Sequence, residues 1–322
     1  MLITTDYPPD TGGVAWYYEN LVTLRQAQGD TTFVLKLGKW ALTPRWPFIF
    51  FILIIKSFII RPTCWWVGQV LPIGTVAWVL SFVWKKPYIV STHGMDVLIS
   101  LHSPRKRWLV GKILARAALI TANSEWTKRK ILTNYKLQII NDKIIVVYPE
   151  PKPKRVVRED ELQSLRLKLG IPNNAKVLLT VSRLVARKGI DRVLYALHAM
   201  GVTNPGLHYV IVGEGIAHAQ LEHVCGQISD NKRVHFAGSV SDDELPAYYT
   251  FADAFILLSR DIHGDVEGFG IVYLEANQYG LPIVATGEGG TQEALAQCRK
   301  VIPVINGDDI QEVAHAVSLA LI

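Results

Sequence analysis

The sequence predicts an α/β protein built from two doubly wound parallel-sheet domains, and three observations carry that expectation. Short apolar runs that suit strands alternate with helical patterns from end to end. The 322 residues suit two domains at roughly 150 residues each. A proline-rich stretch, YPEPKPKR, interrupts the alternation near residue 150 and reads as a linker, which gives domains over 1–150 and 151–322.

In the first domain the order is LITT, helix 13–28, TTFVLKL, helix 47–57, CWWVGQV, helix 75–84, YIVSTH, helix 104–116, ALITANS, helix 125–135 and KIIVVY. In the second it is KVLLTVSR, helix 189–200, LHYVIVG, helix 215–229, VHFAG, helix 242–250, AFILLS, helix 270–279, LPIVAT, helix 290–297, KVIPV and helix 308–321. Strand, helix and strand repeated in this way imply right-handed crossovers onto parallel sheets. Ligands of such folds gather at the carboxyl ends of the strands, so two Rossmann-like domains facing across a cleft are expected to bind there.

Composition narrows the class. With 49% hydrophobic and 19% charged residues, 24 Gly and 16 Pro, collagen-like and disordered readings are excluded. The three cysteines, Cys64, Cys225 and Cys298, form no CxxC or Cys/His spacing, so neither a disulfide framework nor a metal site is expected, and a reducing cytoplasm fits. Charge is unevenly spread: residues 1–150 hold 18 Lys+Arg against 8 Asp+Glu, whereas residues 151–322 hold 16 against 20. All nine tryptophans also lie in the first half. Basic residues with amphipathic aromatics suit peripheral contact with an anionic membrane; the bland alternative is that the tryptophans fill the core. Nucleic acid is a competing partner for a basic half, but no binding module is present. Residues 63–84 are uncharged for long enough to span a bilayer, yet Gly68, Pro72 and Gly74 divide them into strand, turn and helix. MLITTDYPPDTGG reaches turn residues too early for a cleavable leader to be expected.

Four loops hold residues suited to chemistry. Gly12-Gly13 opens the first helix, where amides and the helix dipole favour an anion, or where a tight turn simply needs glycine. His93 closes the strand YIVSTH and is placed to meet a ligand, against the alternative of a structural histidine. Arg183 and Lys188 share the loop after VLLTVS and would clamp a diphosphate, or stand as a solvated basic loop. Glu267 and Glu275 flank GFGIVYL, where two carboxylates could grip hydroxyl-rich moieties while the amides of Gly268, Phe269, Gly270 and Ile271 face phosphates between them. A hydrolase acid–base pair is the alternative for the carboxylates; the neighbouring cations argue for an anionic ligand instead.

Taken together, DYPPDTGGVA, VSTHGMD, ALITANSEWTKRKI, VSRLVARKGIDRVLYAL, YVIVGEG, VHFAGSVSDDELPAYYTFADAFILLS and EGFGIVYLEANQYGLPIVAT resemble the family 4 retaining glycosyltransferases of the GT-B fold, in that family's motif order. The resemblance implies transfer of a sugar from a UDP- or GDP-sugar to a glycan or lipid-linked acceptor in envelope or polysaccharide synthesis, without a metal or other cofactor. It implies that Glu267 contacts the donor sugar and Glu275 the ribose, that Arg183 and Lys188 hold the diphosphate, and that His93 lines the sugar pocket. By the same resemblance the amides of residues 268–271 and Gly12-Gly13 complete an anion cradle, and Gly238, Ser239 and Val240 border the base. The chain departs from the family pattern at Tyr148-Pro149-Glu150-Pro151 and in ending at Ile322, before the expected crossing helix. A sugar-nucleotide-binding protein with little or no turnover is therefore the alternative, and an epimerase of the same architecture is disfavoured by the intact EGFGIVYLE. The expected location is the cytoplasm, with peripheral attachment at the inner face of the membrane.

Overall fold

The computed structural model describes residues 1–10, 12–43, 45–135, 142–200, 206–227 and 231–322. The chain divides into two compact units, Met1–Pro149 and Glu150–Ile322.

The first unit is built on strands β1 (Leu2–Thr4), β2 (Val34–Lys36), β3 (Trp65–Val67), β4 (Tyr88–Thr92), β5 (Leu119–Ala122) and β6 (Ile144–Val146). They pair in parallel in the order β2, β1, β3, β4, β5, β6. Its helices are α1 (Gly13–Ala27), α2 (Phe48–Ile60), α3 (Ile73–Trp84), the single turn α4 (Met95–Leu98), α5 (Pro104–Arg116) and α6 (Glu125–Tyr135). Because β1 is flanked by β2 on one side and β3 on the other, the winding direction reverses there, and a crevice opens at the carboxyl ends of β1 and β3. Trp65, Val67, Tyr88, Val90 and Ile120 bring the sheet into one core with Ile49 and Leu53 of α2 and Ile113 of α5. That accounts for the near-continuous apolar run of CWWVGQV, since a strand covered on both faces has no solvent side to make polar. The division of residues 63–84 follows: β3, a turn, then α3.

The second unit comprises β7 (Lys176–Val181), β8 (Leu207–Val212), β9 (Val234–Gly238), β10 (Ala254–Leu257), β11 (Ile283–Thr286) and β12 (Val301–Val304). All pair in parallel in the order β12, β11, β10, β7, β8, β9. The reversal lies between β7 and β10, so the loops after those two strands share one crevice. The flanking helices are α7 (Glu159–Leu169), α8 (Ile190–Met200), α9 (His218–Gln227), α10 (Leu245–Phe251), α11 (Ile271–Gln278), α12 (Thr291–Leu295) and α13 (Ile310–Ala320). Two apolar layers cover the sheet, one around Leu194, Ile211 and Val317, the other around Val177, Phe255 and Tyr273.

Helix α7 was not expected: the sequence alternation passes from the proline-rich run YPEPKPKR directly to KVLLTVSR and assigns nothing to Glu159–Leu169. It starts with the Arg158 amide donating to Glu161 Oε1 at 3.2 Å, a helix-start signature, and ends at left-handed Gly170. The last two residues of the helix expected over 215–229, and Thr11 of DYPPDTGG, lie outside the described residues.

Candidate functional site

In the second unit, β7 delivers the chain into the loop that holds Arg183, and a 3-10 turn over Ala186–Lys188 then leads into α8. Gly189 closes the turn at φ +66°, and a Cβ there would lie 2.2 Å from the Leu258 carbonyl oxygen, so only glycine lets this turn lie against the end of β10. The turn points Arg187 and Lys188 inward together. Lys188 Nζ and Arg187 Nη1 each donate to Glu267 Oε2 at 2.5 Å, and Arg187 Nε reaches Asp265 Oδ1 at 3.0 Å. The side chains of Arg187, Lys188 and Glu267 are 5%, 7% and 17% exposed. Burial alone would raise the Glu267 carboxyl, but Lys188 and Arg187 outweigh it and hold it at about 2. Burial in turn lowers the Lys188 ammonium below its ordinary value, with Glu267 opposing.

The Glu267 loop is pinned from behind. Gly290 N donates to the Glu267 carbonyl at 2.9 Å, and a Cβ on Gly290 would fall 1.9 Å from the Gly268 oxygen. Phe269 drops into the core at 2% exposure, and Gly270 (φ +87°) caps α11, which starts at Ile271. Gly268, Phe269, Gly270 and Ile271 thus form one tight passage from loop to helix N-terminus. On the first turns of that helix, Glu275 accepts from Tyr249 Oη at 2.7 Å, and burial pushes its carboxyl up. After the edge strand β9, Ser239 N approaches Glu214 Oε1 at 3.4 Å and Val240 packs on the layer that holds Phe269 and Tyr273.

The predicted pair Arg183 and Lys188 is therefore split. Lys188 joins Glu267, whereas Arg183 is exposed and forms no ion pair within 4.0 Å among the described residues. Arg187 takes the buried place. It was overlooked because adjacent residues on a helix do not face each other, and only the 3-10 turn ending at left-handed Gly189 aims both side chains at one carboxylate. The signal was the ARKG string itself, a cation pair immediately before a glycine.

In the first unit, His93 follows β4 and stands beside α1. Tyr18 has a single hydroxyl proton and donates it to the Gly68 carbonyl at 2.6 Å, so the 2.7 Å contact between Tyr18 Oη and His93 Nε2 has the imidazole as donor. That assigns the Nε2–H tautomer and leaves Nδ1 as an acceptor. Burial pushes the imidazole down to about 4, so the ring is neutral. Tyr17 and Tyr18 meet it edge-on at 5.3 and 5.5 Å between centroids. Asp96 Oδ1 accepts from His93 N at 2.9 Å and Val97 N at 3.1 Å, while Oδ2 is buried with no partner among the described residues. Burial raises this carboxyl to about 6 against those amide bonds. Gly12 caps α1 at φ +115° and Gly13 is its first residue, both exposed at the carboxyl end of β1. Among the described residues no group of three or more His, Cys, Asp or Glu could hold a metal ion.

Residues 163–321 match the family model of the glycosyl transferases group 1. A GDP-mannose-dependent alpha-(1-6)-phosphatidylinositol monomannoside mannosyltransferase of Mycobacterium tuberculosis is 31% identical over 268 residues, which cover 80% of this chain and 66% of that protein, just under two thirds. A related mannosyltransferase of Corynebacterium glutamicum, acting on a monoacylated acceptor by its name, is 26% identical over 98% of this chain and 86% of its own. Among solved structures, Anabaena HepE in complex with UDP and glucose aligns at a TM-score of 0.76 and 19% identity, covering 99% of this chain and 89% of that one. Sucrose-phosphate synthase of Thermosynechococcus elongatus aligns at 0.76 and 18% over the same shares. Two six-stranded parallel sheets and these likenesses agree: the chain has the GT-B fold, and residues 163–321 of its second unit belong to the glycosyl transferases group 1.

Proposed function

We propose that the chain is a retaining glycosyltransferase that moves a sugar from a nucleoside diphosphate donor to a glycan or lipid-linked acceptor, with no metal required. The observation that carries this reading is the buried cluster of Arg187, Lys188 and Glu267 at the winding reversal of the second sheet. Cleavage of the bond between the anomeric carbon and the donor phosphate oxygen leaves charge on the diphosphate. Two fixed cations in a buried site stabilise that developing charge with little reorganisation, and Arg183 adds a third at the rim. Glu267, ionised at any physiological pH, accepts hydrogen bonds from sugar hydroxyls. Glu275 takes the ribose, the passage over residues 268–271 supplies amides, and Ser239 and Val240 border the base. In the first unit the neutral His93 offers Nδ1 to a sugar hydroxyl, and Gly12 and Gly13 leave the start of α1 open to phosphate. The relatives named for GDP-mannose and phosphatidylinositol favour a GDP-linked mannose and a lipid-linked acceptor over a UDP-sugar. The reading places the protein in the cytoplasm, where such donors are made and where Cys64, Cys225 and Cys298 stay unpaired.

The test is titration calorimetry with GDP and UDP, followed by a transfer assay from each sugar donor to phosphatidylinositol lipids. Lys188→Ala should lower kcat by about 10²–10³-fold while leaving the fold intact. A wild-type chain that binds neither nucleotide, or a Lys188→Ala variant with unchanged turnover, overturns the proposal.

A further inference from the structure

Helix α2, FIFFILIIKSFII, is apolar on every face, which in a water-soluble fold is the mark of a helix buried all round. It is not buried all round. Ile49, Leu53 and Ser57 form a buried stripe against the core and Phe50, Ile52, Ile54 and Ile60 pack half-buried beside it, whereas Phe48, Phe51, Ile55, Phe58 and Ile59 are 58–70% exposed. At helical spacing these five share one face. On α3, which packs beside α2, Val79, Phe82 and Val83 are exposed in the same way, and Phe58 meets Trp84 edge-on at 5.6 Å, joining the two helices into one apolar surface. A continuous patch of this kind marks an interaction site.

Its surroundings identify the partner. Between Asp30 and Asp96 the sequence holds no acidic residue but seven cations: Lys36, Lys39, Arg45, Lys56, Arg61, Lys85 and Lys86. Arg61 and Lys85 are the exposed caps of α2 and α3, Lys56 stands exposed on α2, and the Arg116 guanidinium lies 3.8 Å from the Phe82 ring centroid. A second copy of the chain would set this cationic rim against itself. A bilayer with anionic headgroups satisfies rim and apolar face at once. No described helix is long and apolar enough to cross a membrane, so α2 would lie in the plane of the interface. We infer that the exposed face of α2 and α3 inserts into an anionic membrane surface, with the rim cations on the phosphates. Phenylalanine and isoleucine make the insertion; of the nine tryptophans, which composition alone put at the interface, only Trp108 on α5 is exposed as a large apolar side chain. The inference goes beyond the proposed sugar transfer and does not rest on it.

The experiment is sedimentation of the full chain with vesicles of phosphatidylcholine containing phosphatidylglycerol, at about 0.1 M and about 0.5 M salt. Wild type should bind at low salt and keep a substantial bound fraction at high salt, because burial of apolar surface is not screened. Phe51→Ser/Ile55→Ser/Phe58→Ser should lower the partition coefficient at least about tenfold, with an unchanged circular dichroism spectrum. Phe51→Leu/Phe58→Leu should bind like wild type. The inference is overturned if wild type stays in the supernatant at low salt, if high salt strips it completely, or if the triple serine variant partitions like wild type. It is equally overturned if the leucine variant is lost along with it, or if the face proves to close a dimer that does not bind vesicles. Since sedimentation is the readout, failure here leaves the sugar-transfer proposal standing, and the reverse.

Discussion

The two units handle buried polar chemistry in opposite ways. At the reversal in the second sheet, Arg187 and Lys188 pair with Glu267 and Asp265 within 2.5–3.0 Å, and the two cations hold the buried Glu267 carboxylate ionised. At the end of β4 in the first unit, burial suppresses charge instead: His93 is held neutral, and the Asp96 carboxyl is pushed up toward protonation. The difference teaches which parts can be removed one at a time. An ion cluster fails when one sign is deleted, since the other is left unpaired in a low-dielectric site. A neutral hydrogen-bonded pocket loses one bond at a time.

The largest effect should follow from deleting the anion. Glu267→Ala leaves two buried cations side by side and should cost about 3–5 kcal/mol of unfolding free energy, read by urea denaturation followed through the second unit's signal; a cost below 1 kcal/mol would mean that the cations relax into solvent. The pH dependence is next, and it separates the two units. Glu267 titrates at about 2, below its ordinary 4.5, so its stabilisation is complete above pH 4.5 and is lost only as pH falls toward 2. His93, at about 4 against an ordinary 6.5, has the unfolded chain binding its proton first, so stability falls from pH 6.5 to 4. Asp96, raised from 3.8 to about 6, takes its proton first in the folded state and adds stability over nearly the same interval. Followed through the first unit's signal, the wild type should therefore be nearly flat there; His235 of the second unit, which burial also holds at about 4, tilts only that unit. Asp96→Asn should lose about 2–3 kcal/mol on going from pH 6.5 to 4, and an equally flat variant would show that the pair is not balanced as described. The smallest effect is at Tyr249→Phe, which removes one hydrogen bond from Glu275 at about 1 kcal/mol. By thermal shift the loss should be modest, and nucleotide affinity should fall more than stability does.

Much of the architecture was legible in the sequence because strands sealed on both faces and helices with one apolar stripe leave different repeats. Helices α5 and α6 fall on the residues that their patterns indicate, and the alternation alone locates the loops of Lys188 and Glu267 and the helix that carries Glu275. Arg187 was illegible because sequence spacing assumes regular helix or strand, and a 3-10 turn obeys neither. Helix α7 was hidden by its neighbours: only Leu165 is fully buried along it, so its periodicity is faint beside the prolines that precede it. The membrane expectation rested on tryptophan count and net charge, which single out the same half of the chain as the proposed face. An apolar run looks the same whether a core or nothing in the protein covers it, and only the exposures of α2 and α3 tell these apart.

The cluster around Glu267 also sets a threshold for what the site captures. Arg187, Lys188, Glu267 and Asp265 sum to no net charge, so free phosphate meets cations already engaged and gains little by displacing a carboxylate. A ligand that brings negative charge for the cations and, on the same molecule, hydroxyl donors for the released carboxylate loses nothing in the exchange. Self-neutralisation of this kind lets the cluster discriminate against small free anions, and it does so without any steric gate.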